Sequence, residues 1–293
     1  MSPGWRQAAW LPILALCFNA FTWGVSWWPF RQLGALGLHP LWATVLIYLL
    51  AAGVITAWRP AAWRDLRRTP ILWLLLLASG TTNASFNWAV TIGDVVRIVL
   101  LFYLMPLWAV LLARWLLGER LTPLAGLRVA LSLAGAAIVL WPENGGWPLP
   151  NTLAEGLAVL GGFSFALNNV LLRREAHLLM AARARAMFCG GALVAGMLAT
   201  GLATQGVVPW PPMPAPAWAL GALGLALWFL LGNLALQYGA ARLSANATAV
   251  VMGTEVLFAS VSALLLGAGV LTVPLAIGGA LIVLAALLAA RGG

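Results

Sequence analysis

Apolar residues run along this chain in blocks of helix-spanning length, separated by short polar or turn-forming stretches. The blocks cover 8–28, 40–58, 70–91, 95–117, 123–141, 152–172, 183–204, 216–238, 244–267 and 272–290. About 20 mostly apolar residues are needed for a helix to cross the hydrocarbon core of a bilayer. The separators include "RPAAWRDLRRTP", "GERLTP", "WPENGGWPLPN", "PWPPMPAP" and "LTVP", rich in the residues that end helices. No two-residue alternation of the barrel kind interrupts the pattern. The prediction is an all-α integral membrane protein of ten transmembrane helices.

Composition agrees. Of 293 residues, 63% are hydrophobic and 8% charged, against about a quarter charged in a soluble domain. The net charge of +9 raises nucleic acid as a partner, but the arginines fall between apolar blocks and form no basic patch. Membrane topology accounts for them better. With the N-terminus inside, every arginine except Arg31 and Arg97 falls on the cytoplasmic side, as the positive-inside rule requires. Both termini are then cytoplasmic, which demands an even number of spans. The N-terminus lacks a small-residue cleavage pattern, so the first block is expected to stay in the mature protein. Most of the 17 tryptophans fall near block ends and read as interfacial belts. Trp23, Trp108 and Trp228 lie deeper, where packing and ligand contact compete. Cys17 and Cys189 sit in apolar runs without a paired ligand, and His39 and His177 lie near segment ends. No metal or cofactor site is implied, and no GxxxxGK[ST], HExxH or GxSxG motif occurs to suggest an enzyme.

A repeat lies within the blocks. At an offset of 150 residues Asn83 falls on Asn233, Asn87 on Gln237, Ala109 on Ala259 and Leu121-Thr122 on Leu271-Thr272. The alternative is a chance alignment of Ala/Leu-rich sequence. Taken as real, the repeat divides the chain into a first five-helix unit (1–142), a periplasmic linker (143–151) and a second five-helix unit (152–293). Five is odd, so the second unit enters the membrane with opposite polarity. Inverted repeats of this kind build secondary transporters whose substrate site lies at the midplane between them.

The stretches "FTWG", "LFYLMPLWAVLLARWLLGERLTPLAGL" and the weaker echo "GTEVLFASVSALLLGAGVLTVPLAI" resemble the drug/metabolite transporter superfamily, in its ten-helix EamA-type exporters, across essentially the whole chain. Pro106 and Gly118-Glu119-Arg120-Leu121-Thr122 match the family's repeat pattern. The second half departs from it, with Val256 in place of the proline and Gly269 where Glu119 stood. Within the family, Tyr103-Leu104-Met105-Pro106 and Ile47-Tyr48 are similar to bacterial aromatic amino-acid exporters. The resemblance implies export of small metabolites, amino acids among them, from a bacterial inner membrane.

Polar side chains inside apolar helices carry the remaining information. Asn19, Thr22 and Ser26 share one face by spacing, as do Ser79, Asn83 and Asn87; Ser164 and Asn168, with Asn169 adjacent, and Asn233 and Gln237 add two more. Such faces either glue helices together, at about 0.6–2 kcal/mol per contact, or line a shared polar cavity. The candidate substrate-binding set is Asn19, Trp23, Ser79, Asn83, Tyr103, Met105, Phe163, Asn168, Asn233 and Glu255. Asn83 and Asn233 are its repeat-related pair. Glu255, in the middle of an apolar block, is expected to face Met105 and has three competing roles: proton coupling, binding a substrate ammonium group, or a neutral hydrogen-bonded structural acid. Arg31 and Arg97 either attract a carboxylate at the outer mouth or snorkel to the surface. Spans 5 and 10, with small residues at intervals of four, read as scaffold.

The function these readings favour is a secondary exporter working by alternating access around a central cavity, with a small-molecule substrate and the bilayer as its partners. A lipid-handling enzyme or flippase, and a structural membrane subunit, are the alternatives. The orientation has a direct check. Green fluorescent protein fused after residue 293 should fluoresce in cells, and alkaline phosphatase fused within 143–151 should be active; the reverse pattern inverts the topology.

Overall fold

The computed structural model describes residues 10–118, 123–141, 147, 149–175, 177–213, 215–240 and 251–289. Among them the regular structure is entirely helical: α1 (Trp10–Val25), α2 (Trp27–Ala35), α3 (Pro40–Trp58), α4 (Ala62–Arg68), α5 (Ile71–Ile92), α6 (Val95–Phe102), α7 (Met105–Leu117), α8 (Pro123–Leu140), α9 (Leu153–Arg174), α10 (Met180–Thr204), α11 (Pro216–Ala240), α12 (Thr254–Leu265) and α13 (Val273–Ala289). Each apolar block thus contributes helix. Six stretches are long and apolar enough to cross a membrane by length and composition, and α12 and part of α8 and α13 are shorter apolar helices. The chain is a multi-pass membrane protein. The Gly-Glu-Arg-Leu-Thr motif beyond Gly118, Thr248 and Arg242 lie outside the described residues.

Two blocks are interrupted where local chemistry competes with the helix. In the first, the hydroxyls of Thr22 and Ser26 donate to the carbonyls of Phe18 and Trp23, both at 2.8 Å, a bonding that bends helices. α1 gives way to α2 there. The block 95–117 divides at Tyr103-Leu104, with Pro106 in the first turn of α7, where its missing N–H costs least. Elsewhere the ends are capped conventionally. Asp94 accepts from the Arg97 N–H at 2.9 Å to start α6. Thr152 and Glu155 form a reciprocal capping box at α9. The His39 side chain caps α3 by accepting from the Leu41 N–H, and burial lowers its pKa, keeping the imidazole neutral for that role.

α5 is the axis of the bundle. It is 22 residues long, and fifteen of them are buried, including Ser79, Thr82, Asn83, Ser85 and Asn87. Those polar residues keep it out of the strongly apolar set, and a helix so polar can stay in a bilayer only when other helices surround it. α9 and α10 flank it, and α10 also packs on α3. α1 packs on α11 and α12, α9 on α6 and α7, and α8 on α13. Lipid offers no hydrophobic drive between helices, so close approach through small residues does the work. At the α5–α10 crossing, a Cβ on Gly190 would meet the Leu76 carbonyl and one on Gly80 the Gly190 carbonyl. At the α8–α13 crossing, a Cβ on Gly135 would lie 2.6 Å from the Gly278 carbonyl, and one on Gly278 lies 2.6 Å from the Gly135 carbonyl.

These crossings are the vulnerable points. Gly190→Val should destabilise the fold by about 1–3 kcal/mol or more, through overpacking against backbone. Gly201→Ala, on the same helix with no atom within 4 Å of the added carbon, should be neutral or slightly stabilising. Thermal melts of the two purified variants by size-exclusion chromatography test the difference.

Candidate functional site

The sequence-predicted polar faces are buried as expected, and the structure shows what each touches. On α5, the Asn83 amide nitrogen donates to the Ser79 carbonyl at 2.7 Å, and its carbonyl oxygen accepts from the Tyr48 hydroxyl of α3. One turn on, the Asn87 amide donates to the Thr44 hydroxyl at 3.1 Å. Ser79 reaches the Met187 carbonyl of α10 at 3.4 Å. On α1, the Asn19 amide donates to the Gly232 carbonyl of α11 at 2.8 Å. These contacts do glue helices together. They leave a residue of unmet capacity: the carbonyl oxygens of Asn19, Asn87 and Asn168 are buried with no protein partner. A buried unpaired acceptor costs about 1–3 kcal/mol, and these three stand on α1, α5 and α9.

An aromatic seam crosses the bundle beside these amides. Trp23 stacks on Phe229 with centroids 4.8 Å apart, and meets Phe86 edge-on at 6.4 Å. Phe229 leads to Tyr48 on one side, and Phe86 leads to Phe102 and Tyr103 on the other. Offset and edge-on rings of this kind add attraction beyond area burial. Tyr48, Phe86 and Phe229 are absent from the sequence-based site. Aromatic residues in apolar helices look like core, and only Tyr48, one of three tyrosines in the chain, carried a polar signal.

At the far end of the seam lies Glu255. Its Oε2 is 3.0 Å from the Tyr103 hydroxyl, which is also 3.1 Å from the Met252 carbonyl. Both residues sit at helix interruptions: Tyr103 ends α6, and Glu255 is in the first turn of α12. The expected partner of Glu255 was Met105; the structure gives Tyr103, because the break before α7 swings Tyr103 rather than Met105 toward α12. Met105 instead packs between two apolar clusters, and Phe163 meets Trp108 edge-on at 5.5 Å. Asn168 bonds its neighbour Asn169 at 3.3 Å, and Asn233 accepts from Gln237 at 2.7 Å. Asn83 and Asn233 are therefore not joined: each is satisfied within its own helix or its neighbour. The structure unites Trp23, Ser79, Asn83, Tyr103 and Glu255 around the seam, and leaves Met105, Phe163, Asn168 and Asn233 outside its ring and hydrogen-bond contacts.

Arg31 and Arg97 both have structural partners. Arg97 lies 2.6 Å from a Glu155 carboxylate oxygen. Arg31 donates to the Val90 and Gly93 carbonyls at 3.1 and 2.7 Å, stacked over Trp27, and so caps the C-terminus of α5, where a cation suits the helix dipole.

Removing the Tyr103 hydroxyl should cost about 1 kcal/mol of stability, within the range for interhelical hydrogen bonds in membranes. Tyr103→Phe and Glu255→Gln combined should cost less than the sum of the single changes, as a double-mutant cycle of thermal melts would register.

Comparison with known proteins agrees with this arrangement. Residues 10–141 match the model of the EamA-like transporter family. Over 98 residues the chain is 40% identical to an uncharacterised transporter of Pseudomonas aeruginosa, covering 32% of this chain and 33% of that protein. Over 122 residues it is 34% identical to the chloramphenicol-sensitive protein RarD of Pseudomonas aeruginosa, covering 39% of this chain and 40% of that protein. The chain thus spans a third to two fifths of the length of these curated relatives. One solved structure, described only as the crystal structure of a protein, aligns over 95% of this chain and 96% of its own with a TM-score of 0.57 and 20% identity, a likeness of fold alone. Residues 10–141, a little under half of the chain, carry the EamA-like transporter family match, and the chain is similar to transporters of that kind.

Proposed function

We propose that this protein is a secondary transporter that exports small metabolites, amino acids with aromatic or neutral side chains first among them, from a bacterial inner membrane. Its ten spans form two inverted five-helix repeats, with both termini cytoplasmic, and alternating access comes from rocking of the repeats around the seam. The observation that carries the reading is the contact between two interrupted helices, α6/α7 and the start of α12, through Tyr103 and Glu255. Interrupted helices at the midplane are where transporters of this architecture place substrate. The helix pairings support the repeat: α1 with α11 and α12 mirrors α9 with α5 and with α6/α7, and α8 with α13 is self-paired.

The chemistry favours the substrate class. Stacked and edge-on rings suit an aromatic side chain, and the unpartnered amide oxygens of Asn19 and Asn87 suit an ammonium group that needs acceptors. Glu255 adds a proton-linked element. The Tyr103 hydroxyl has one hydrogen and two acceptors within reach. A protonated Glu255 donates to Tyr103, which then serves Met252, and every group is satisfied; an ionised Glu255 competes with Met252 for the same hydrogen. Protonation thus tightens the link between the interrupted helices.

Liposomes containing the purified protein and loaded with labelled phenylalanine should lose label faster than protein-free vesicles. Asn83→Ala and Tyr103→Phe should slow efflux about tenfold, the equivalent of about 1.4 kcal/mol, with expression retained. Failure of all twenty amino acids to leave faster than from empty vesicles would sink the substrate class. An unchanged rate and pH profile in Glu255→Gln would remove the carboxylate from the cycle.

A further inference from the structure

On the periphery of the bundle, α3, α4, α5 and α10 line an open apolar groove of about 780 Å³, with Leu49, Trp63, Leu76, Cys189, Leu193 and Met197 among its walls. Along α10 it runs from Cys189 to Gly201, about 18 Å at 1.5 Å per residue. That is slightly more than half of a hydrocarbon core about 30 Å thick, the depth of one leaflet. At the α4 end the walls change character. Arg59 caps α3, and α4 presents Arg64, Arg67 and Arg68 to the exterior. Asp65 is the one carboxylate on that helix.

Beneath them Arg185 is fully buried. Its guanidinium donates to the Thr56 hydroxyl at 3.0 Å and the Arg59 carbonyl at 3.1 Å, and lies 4.7 Å from the Trp63 ring centre. Among the described residues no carboxylate stands within ion-pair distance of it, and its Nε has no partner. Taking a cation out of water without a counter-charge is expensive. Exposed arginines on α4, which also supplies Trp63 and Leu66 to the groove wall, and a buried guanidinium under Trp63 are complementary to an anionic headgroup above an apolar groove about one leaflet long.

We propose that this groove holds one anionic glycerophospholipid, its acyl chain against α10 and its phosphate at the arginines of α3 and α4, where Arg185 supplies positive potential from below. Trp63 serves both parts, as groove wall and as cover for the buried guanidinium. Basic pockets between membrane helices bind acidic headgroups on the same grounds, whereas lipid merely coating the apolar surface would show no headgroup preference. The groove lies on the far side of α3 and α10 from Tyr48, with Ala192 and Cys189 packed in the same cluster, and its occupancy is read without reference to transport.

Native mass spectrometry of the full chain in detergent, titrated with dioleoyl phosphatidylglycerol or dioleoyl phosphatidylcholine, tests the assignment. One phosphatidylglycerol should bind about tenfold or more tightly than phosphatidylcholine. Arg64→Gln with Arg67→Gln should remove most of that preference, since each basic residue near an anionic headgroup contributes a few-fold. Leu193→Trp should displace the bound lipid by filling the groove with charge unchanged. Arg185→Gln should weaken binding further; if that variant fails to fold, the other two decide. Equal affinity for the two lipids, or a phosphatidylglycerol preference that survives both the double variant and Leu193→Trp, would overturn the proposal.

Discussion

The Tyr103 hydroxyl joins two of the places where the described part of this bundle departs from continuous helix. In hydrocarbon an unpaired backbone group costs several kcal/mol, so each interruption must be repaired from within the protein. At the end of α6 the Tyr103 N–H still reaches the Val99 carbonyl. At the start of α12 the Val256 N–H turns to the Gly253 carbonyl instead, and the Met252 carbonyl accepts from Tyr103. One side chain thus repairs a break on the opposite helix while standing at the break in its own. The aromatic seam, the burial of Glu255 and the packing of α6 on α12 all depend on that geometry.

The polar content of α5 follows from the same rule. A helix with two asparagines, three threonines and two serines between residues 79 and 91 is a poor membrane span by itself. It becomes a stable one because α3, α9 and α10 surround it and supply partners such as Tyr48 and Thr44. Glycines at the α5–α10 crossing let the backbones approach, and the approach brings Ser79 to the Met187 carbonyl. Polar faces and small faces are one device here: the small residues set the distance at which the polar ones can bond.

Much of this was legible in the sequence because block length and polar periodicity are local properties. Every apolar block contributes helix, and Asn19, Ser79, Asn83, Asn87, Asn168 and Glu255 are buried as the spacing required. Position across helices was less legible. The offset that pairs Asn83 with Asn233 in sequence says nothing of the rotation that gives Asn83 to Tyr48 and Asn233 to Gln237. Glu255 was expected against Met105 because the 150-residue offset lays one on the other, and the break after Tyr103 shifts which side chain faces α12. Tyr48 entered only through the family resemblance, and Phe86 and Phe229 not at all, because an aromatic residue in an apolar run gives the same signal whether it is wall or filler.

The partners of Arg31 and Arg97 constrain what the interior can recognise. Both had been candidates to attract a carboxylate. Arg31 is spent on the carbonyls at the end of α5, and Arg97 is paired with Glu155. Among the described residues around the seam, the polar groups are hydroxyls, amides and the single carboxyl of Glu255, with no guanidinium. A low-dielectric site of that make-up holds an anion poorly, because dipoles alone must replace its hydration. It holds an ammonium group well, through amide oxygens and a carboxylate, and a ring better still. A zwitterion could enter with its amine toward the acceptors and its carboxylate toward hydroxyl and amide donors, whereas an organic anion would find no counter-charge. Under the proposed function, the binding chemistry would be asymmetric, favouring the amine and the ring of a substrate over its acid.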